Sequence, residues 1–128
     1  MIDKKNLISA LAGAGLAVSA VFALQAANAP TPKAYVLGEI DVHDAEAYKP
    51  YGAAALPLVT KYGGVYLARG GRTVPLEGAA PAGRIVVVEF PSLAAAQAFE
   101  DSAEYRNVAK IRQKASTGRL FIVEGTAP

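Results

Sequence analysis

Glu39 and Glu89 are the residues whose types and placement most readily suggest chemistry. Each lies near the end of an apolar segment, A-Y-V-L-G-E-I-D at 34–41 and R-I-V-V-V-E-F at 84–90. If these segments are parallel neighbours in one sheet, alternation puts Glu39 on the face of Tyr35 and Leu37. It puts Glu89 on the face of Ile85 and Val87. Two carboxylates that meet in a partly apolar cavity compete for one proton, which is one way a general acid or base arises. The plainer alternative pairs each acid with an arginine at the cavity rim. Tyr35 and Tyr66, also on strand-like segments, are candidates to line such a cavity. Arg69 and Arg72 flank Gly70-Gly71 in Y-L-A-R-G-G-R-T-V-P-L-E-G. Glycines there permit a turn, and two guanidinium groups beside it suit a carboxylate. Glu39 and Glu89 are thus the catalytic candidates, and Tyr35, Tyr66, Arg69 and Arg72 the substrate-binding ones, with Arg69 foremost.

Other constellations are missing from the chain. It has no cysteine, which excludes disulfides, thiolate metal sites and Cys nucleophiles. His43 is the only histidine. Asp41 and Asp44 are near it in sequence, but neighbours on a turn rarely point at one centre, so a surface position is expected and no metal. No GxGxxG, P-loop, HExxH or G-x-S-x-G occurs, so no nucleotide, zinc or serine-hydrolase chemistry and no cofactor is expected. Arg106, Lys110, Arg112, Lys114 and Arg119 scatter around a late helix in the manner of a solvated surface. The formal net charge is +2, and residues 30–128 are close to balanced, which gives no reason to expect a nucleic-acid partner.

The elements that position these residues follow from periodicity. Val36, Gly38 and Ile40 share one face of a first strand, with Tyr35, Leu37 and Glu39 on the other. Asp44 suits a helix N-cap, and Tyr48, Tyr51, Ala55 or Leu56, Val59 and Tyr62 follow at helical spacing. Pro57 is expected to bend or split that helix, and Gly63-Gly64 to end it. Val65–Arg69 and Arg84–Phe90 read as further strands. Ser92 caps a helix with Leu93, Ala96 and Phe99 inward, and Ser102 recaps a second piece running to about Ala115. Tyr48, Tyr51 and Tyr62 are expected in the core or an interface, and Tyr105 as an anchor of its helix. Arg119–Glu124 is the last strand. The order βαββαβ predicts an α+β, ferredoxin-like domain with antiparallel sheet order 4-1-3-2 and both helical layers on one face. Tyr35, Leu37, Ile85, Val87, Phe121 and Val123 then make the other face too apolar to leave wet, and a second copy of the sheet is the simplest cover.

Residues 1–29 read differently. Two lysines precede an uncharged run from Leu7 to Leu24, and Ala27-Asn28-Ala29 supplies a small-residue cleavage site. That order is a signal peptide, removed after Ala29, with residues 30–33 as linker and 34–125 as the domain. Pro30 fits a protease's extended binding mode poorly, and the run approaches membrane-spanning length, so an uncleaved anchor is the rival reading. Membrane contact is expected only in that case. The expected location is periplasmic or secreted.

The stretches Y-V-L-G-E-I-D-V-H-D-A-E-A-Y, Y-G-G-V-Y-L-A-R-G-G, L-E-G, R-I-V-V-V-E-F-P-S, S-A-E-Y and I-V-E-G resemble, in order and spacing, the family known as domain of unknown function 1330. The resemblance spans about residues 34–125. It implies the dimeric α+β barrel superfamily, in which two ferredoxin-like sheets pair face to face. Relatives there include cofactor-free monooxygenases, heme-degrading enzymes, dye-decolourising peroxidases, chlorite dismutases and muconolactone isomerases. No reaction carries over, because fold-level analogy does not transfer chemistry. The export-type N-terminus departs from the usual members. The expectation is an exported homodimer that binds or transforms a small organic acid or aromatic at the barrel cavity. The alternative is a non-catalytic binding or stress-related dimer with a packed barrel.

Overall fold

A computed structural model describes residues 29–128; the expected signal segment, apart from Ala29, lies outside the described residues. Residues 30–33 have no regular structure. The chain then runs β1 (Ala34–Val42), α1 (Ala45–Lys61), β2 (Val65–Arg69), β3 (Arg84–Phe90), α2 (Leu93–Asp101), α3 (Ala103–Ala115) and β4 (Ser116–Glu124). The four strands form one sheet in the order β2-β3-β1-β4, and β1–β3, β1–β4 and β2–β3 all pair antiparallel. This is the expected order 4-1-3-2 read from the other edge, and the fold is α+β as the pattern predicts. Among the described residues, no helix is long and apolar enough to cross a membrane.

Caps and glycines set most boundaries. Asp44 Oδ1 accepts from the Ala47 N–H at 3.0 Å, Ser92 Oγ from Ala95 at 3.1 Å and Ser102 Oγ from Tyr105 at 3.1 Å. Each cap satisfies an N–H that the helix leaves without a partner, a contribution of about 1 kcal/mol. Gly63 ends α1 at φ 82°, a conformation that only glycine adopts without strain.

Helix α1 is not split: it runs unbroken although Pro50 and Pro57 lie inside it. Both prolines are on the exposed side, as are Glu46 and Ala53, whose carbonyls lose their N–H partners to them, and water can serve those carbonyls. Strand β4 starts at Ser116, three residues before the expected Arg119. Gly118, at φ 152°, permits the early pairing, because a Cβ there would collide with the Glu39 carbonyl.

The helices cover the face of the sheet that carries Val36, Gly38 and Ile40. Phe90 is the largest fully buried side chain, and with Val36, Val59, Val88, Phe99 and Tyr105 it forms the main core cluster. Truncating such a ring to alanine costs about 3–5 kcal/mol. A second cluster gathers Ile40, Tyr48 and Ala115, and Tyr51, Val86 and Leu120 pack against both. The opposite face is uncovered: Val65, Leu67, Phe121 and Val123 are between 44% and 57% exposed.

Candidate functional site

Register decides which candidates meet. Glu89 pairs across from Tyr35, whereas Glu39 pairs across from Ile85. The two acids therefore stand four residues apart along the β1–β3 ladder, about 13 Å at 3.3 Å per residue. The expectation of parallel strands is corrected. In the split arrangement β3 enters between β1 and β2 from the excursion after β2, so it runs against both neighbours. Each acid instead has a basic partner on the open face: Lys33 Nζ is 2.8 Å from Glu89, and Arg119 is 3.6 Å from Glu39. Tyr35 lies on that same face beside Val123 and Glu89. Arg72 is exposed in the excursion after β2 and has no ion pair among the described residues. His43 is also exposed, and its backbone N–H bonds the Ala115 carbonyl.

Tyr66 and Arg69 come together on the covered face. Regular alternation would place residues three apart on opposite faces. A bulge intervenes: Tyr66 pairs with Val88, Ala68 with Val87 and Arg69 with Val86, which leaves Leu67 extra. Both side chains thereby turn toward the helices. The Arg69 guanidinium lies over the Tyr66 ring, 4.6 Å from its centroid.

These residues belong to a cavity of about 440 Å³ between the sheet and the helices. Its floor has a simple cause. One row crosses the sheet as Arg69, Val86, Gly38 and Leu120, and Gly38 contributes no side chain where its neighbours in β1 contribute Val36 and Ile40. The gap falls between the two core clusters. Gly52 opens the wall on the helix side, since a Cβ there would stand 2.7 Å from Arg69 Nη2.

The wall is aromatic and basic. Tyr48, Tyr51, Tyr66 and Tyr105 line it with Arg69 and Arg84. Arg84 lies 5.5 Å from the Tyr48 centroid, against Gly70, where φ is 71° and a Cβ would come within 2.8 Å of its Nη2. Neither Arg69 nor Arg84 has an ion-pair partner among the described residues, and the buried Arg84 Nε has no hydrogen bond. No carboxylate lines the cavity; Lys49, at its edge, is paired with Glu46 at 2.9 Å. Tyr51 and Tyr105 bring their hydroxyls to 2.7 Å of each other. Burial pushes both phenols up, more strongly for Tyr51, with the neighbouring tyrosine raising Tyr51 further; burial raises Tyr66 as well. All three stay protonated near neutrality, so each hydroxyl retains a hydrogen to donate.

Helical spacing puts Tyr48 and Tyr51 in the core or an interface, and Tyr105 is expected as a helix anchor; all three are largely buried, but spacing does not show them as the wall of a void. Arg112, expected on a solvated surface, is partly buried with its guanidinium 5.7 Å from the Tyr51 centroid. Glu100 lies near it, with Oε1 buried and without a partner, and burial raises its carboxyl while Arg112 pulls the other way. Arginines next to tyrosines in a helical pattern are a weak signal on their own. Arg84, which opens the strand R-I-V-V-V-E-F, is a signal the sequence reading does not use.

A family model described as Domain of unknown function (DUF1330) matches residues 33–126. Among solved structures, a protein of unknown function from Rhodopseudomonas palustris, determined also in methylated form, is similar at 26% identity. Its TM-score is 0.62, and the match covers 84% of this chain and 91–93% of that one. SnoaB, a cofactor-independent oxygenase from Streptomyces nogalater, is similar at 12% identity and TM-score 0.56, over 77% of this chain and 97% of that one. The second likeness establishes the fold alone. No curated protein matches the chain significantly.

Proposed function

The chain belongs to the DUF1330 family, and from that premise we propose that it is an exported homodimer in which each copy binds a small aromatic carboxylate between its sheet and its helices. One observation carries the ligand class. Arg69 and Arg84 stand without acidic partners on the wall of a cavity of about 440 Å³ that is also lined by tyrosines and by Lys49, which Glu46 already pairs, and by no carboxylate. The buried Arg84 Nε is costly without a partner, and a ligand carboxylate that accepts from Arg84 and from the more exposed Arg69 relieves that cost. The tyrosine rings offer stacking surface, and cavities of this size hold small organic molecules.

Export and dimerisation rest on other features. The basic, apolar and small-residue order of residues 1–29 supports export, and cleavage after Ala29 removes nothing from the compact unit that starts at Thr31. The uncovered face, with Val65, Leu67, Phe121 and Val123 half-exposed, supports pairing of two sheets. Such pairing leaves the cavity within each copy. A packed barrel at the interface is therefore compatible with ligand binding.

The direct test is a thermal-shift series with benzoate and naphthoate on wild-type protein and on Arg69→Gln and Arg84→Gln. Binding to the folded state raises the wild-type midpoint in proportion to the logarithm of ligand concentration, and each substitution weakens that response. An unmoved wild-type midpoint across the series would count against the proposal.

A further inference from the structure

The paired hydroxyls of Tyr51 and Tyr105 are the feature of the cavity that the carboxylate reading does not use. Two phenols carry two hydroxyl hydrogens. Their mutual bond at 2.7 Å uses one of them, and no acceptor for the other lies within hydrogen-bond distance among the described residues. The guanidinium beside them is Arg112, which lies over the Tyr51 ring and touches both phenols electrostatically. Arginine only donates, so it cannot take up the second hydrogen. Both tyrosines line the cavity with Val59, Val88, Phe99 and Tyr66; Tyr66 acts electrostatically on Tyr51 and Glu100 on Tyr105, but neither makes a hydrogen bond to the pair. One O–H is therefore left without an acceptor within hydrogen-bond distance among the described residues.

We infer that the Tyr51–Tyr105 pair donates this hydroxyl hydrogen to a second oxygen on the ligand, so that the cavity selects aromatic carboxylates that also bear a phenolic or carbonyl oxygen. The inference rests on the proposed binding of an aromatic carboxylate at Arg69 and Arg84, and it adds a second recognition point. A buried donor without an acceptor is penalised, and a ligand oxygen that satisfies it is favoured over the same ligand lacking that oxygen. The pair is also a better donor than a lone phenol. Within a chain of hydrogen bonds each member polarises the next, and a cation beside the phenol oxygens strengthens the O–H they present. Burial keeps both groups protonated, consistent with donation.

The experiment is calorimetric titration of benzoate and of ortho-, meta- and para-hydroxybenzoate into the wild-type protein, Tyr62→Phe, and the double variant Tyr51→Phe/Tyr105→Phe. The double variant is used because a single substitution would free the surviving tyrosine's own hydrogen. Replacing both partners of a buried hydrogen bond with apolar groups of the same shape is close to neutral for stability, so the fold survives. Tyr62 lies outside the cavity lining, its ring 6.0 Å from that of Phe99, and serves as control. In wild type and Tyr62→Phe, at least one hydroxybenzoate binds about tenfold more tightly than benzoate, the size of one net hydrogen bond. In the double variant that ratio falls to about one. Equal affinities for benzoate and every hydroxybenzoate in the wild type, or a preference that survives in the double variant, overturn this inference and leave the carboxylate reading intact. Absence of binding by all four compounds overturns that reading and this inference with it.

Discussion

Gly52 of α1 makes room for the guanidinium of Arg69 on β2. A Cβ at position 52 would lie 2.7 Å from Arg69 Nη2, and nothing else on that side comes closer than 3.9 Å. Glycine inside a helix costs about 1 kcal/mol relative to alanine, so this position gives up stability where the cavity needs space. Gly52→Ala should therefore leave thermal stability unchanged or raise it by up to about 1 kcal/mol. The same substitution pushes Arg69 off its place and weakens benzoate binding. A thermal melt and a titration on one preparation check both halves, and benzoate affinity equal to wild type would contradict the placement of Arg69.

Gly38 offers a second separation of stability from binding. A Cβ there meets Ile40 Cδ1 at 3.4 Å and Leu120 Cγ at 3.6 Å, contacts that the core can accept. Gly38→Ala should hold or slightly raise the melting midpoint, because alanine restricts the unfolded chain. It also fills part of the cavity floor. Naphthoate, the larger probe, should lose more affinity than benzoate, and equal losses would argue that the ligand does not reach the floor.

The pH dependence of stability has a definite sign at each end. Burial holds Tyr51, Tyr66 and Tyr105 above the ordinary phenol value of 10.0. The folded state therefore keeps these protons longer than the unfolded chain does. Their contribution is complete below pH 10 and is lost as pH rises beyond it. Denaturant melts from pH 8 to 11 should show stability falling above about pH 10. The Tyr51→Phe/Tyr105→Phe variant should fall less steeply.

Glu100 titrates at the other end with the same direction of shift. Burial raises its carboxyl above 4.5, and the opposing pull of Arg112 does not cancel that. The ionised form is thus disfavoured in the fold, and the group's contribution is present below pH 4.5 and lost above it. Glu100→Gln, which imitates the protonated acid, should be more stable than wild type at pH 7. The difference should shrink as pH falls through the ordinary glutamate range, and urea melts at pH 7 and pH 4 measure both.

The open face of the sheet should carry the dimer. Phe121 is 50% exposed and pairs across from Leu37. A charge there disrupts pairing of two sheets through desolvation while costing the isolated fold little. Wild type should sediment as a dimer at micromolar concentration, and Phe121→Asp as a folded monomer. A wild-type monomer would remove the sheet-to-sheet pairing from the account.

Much of the fold was legible because its signals are local. Asp44, Ser92 and Ser102 are caps that act within three residues, and alternation in β1 and β3 names their faces directly. Strand direction is a topological property, and reading β1 and β3 as parallel brought Glu39 and Glu89 together in expectation where the register separates them. The site was harder to read. A helical stripe of Tyr48, Tyr51 and Ala55 states which side is buried, but not whether that side meets packed atoms or empty space. The void arises from side chains that are missing at Gly38 and Gly52. The bulge at Leu67, which turns Tyr66 and Arg69 to one face, leaves no mark in a sequence of ordinary strand residues. Of the anticipated residues, Tyr66 and Arg69 line this cavity; Tyr35, Arg72, Glu39 and Glu89 stand elsewhere.

The central claim is that the cavity between sheet and helices, and not the open sheet face, receives an aromatic carboxylate. A crystal structure of the protein grown with naphthoate tests it most directly. The account predicts one naphthoate per chain inside the cavity, with its carboxylate about 3 Å from the guanidinium nitrogens of Arg69 and Arg84. Naphthoate found only against the open face, or a cavity closed by rearranged side chains with no ligand in it, would contradict the claim.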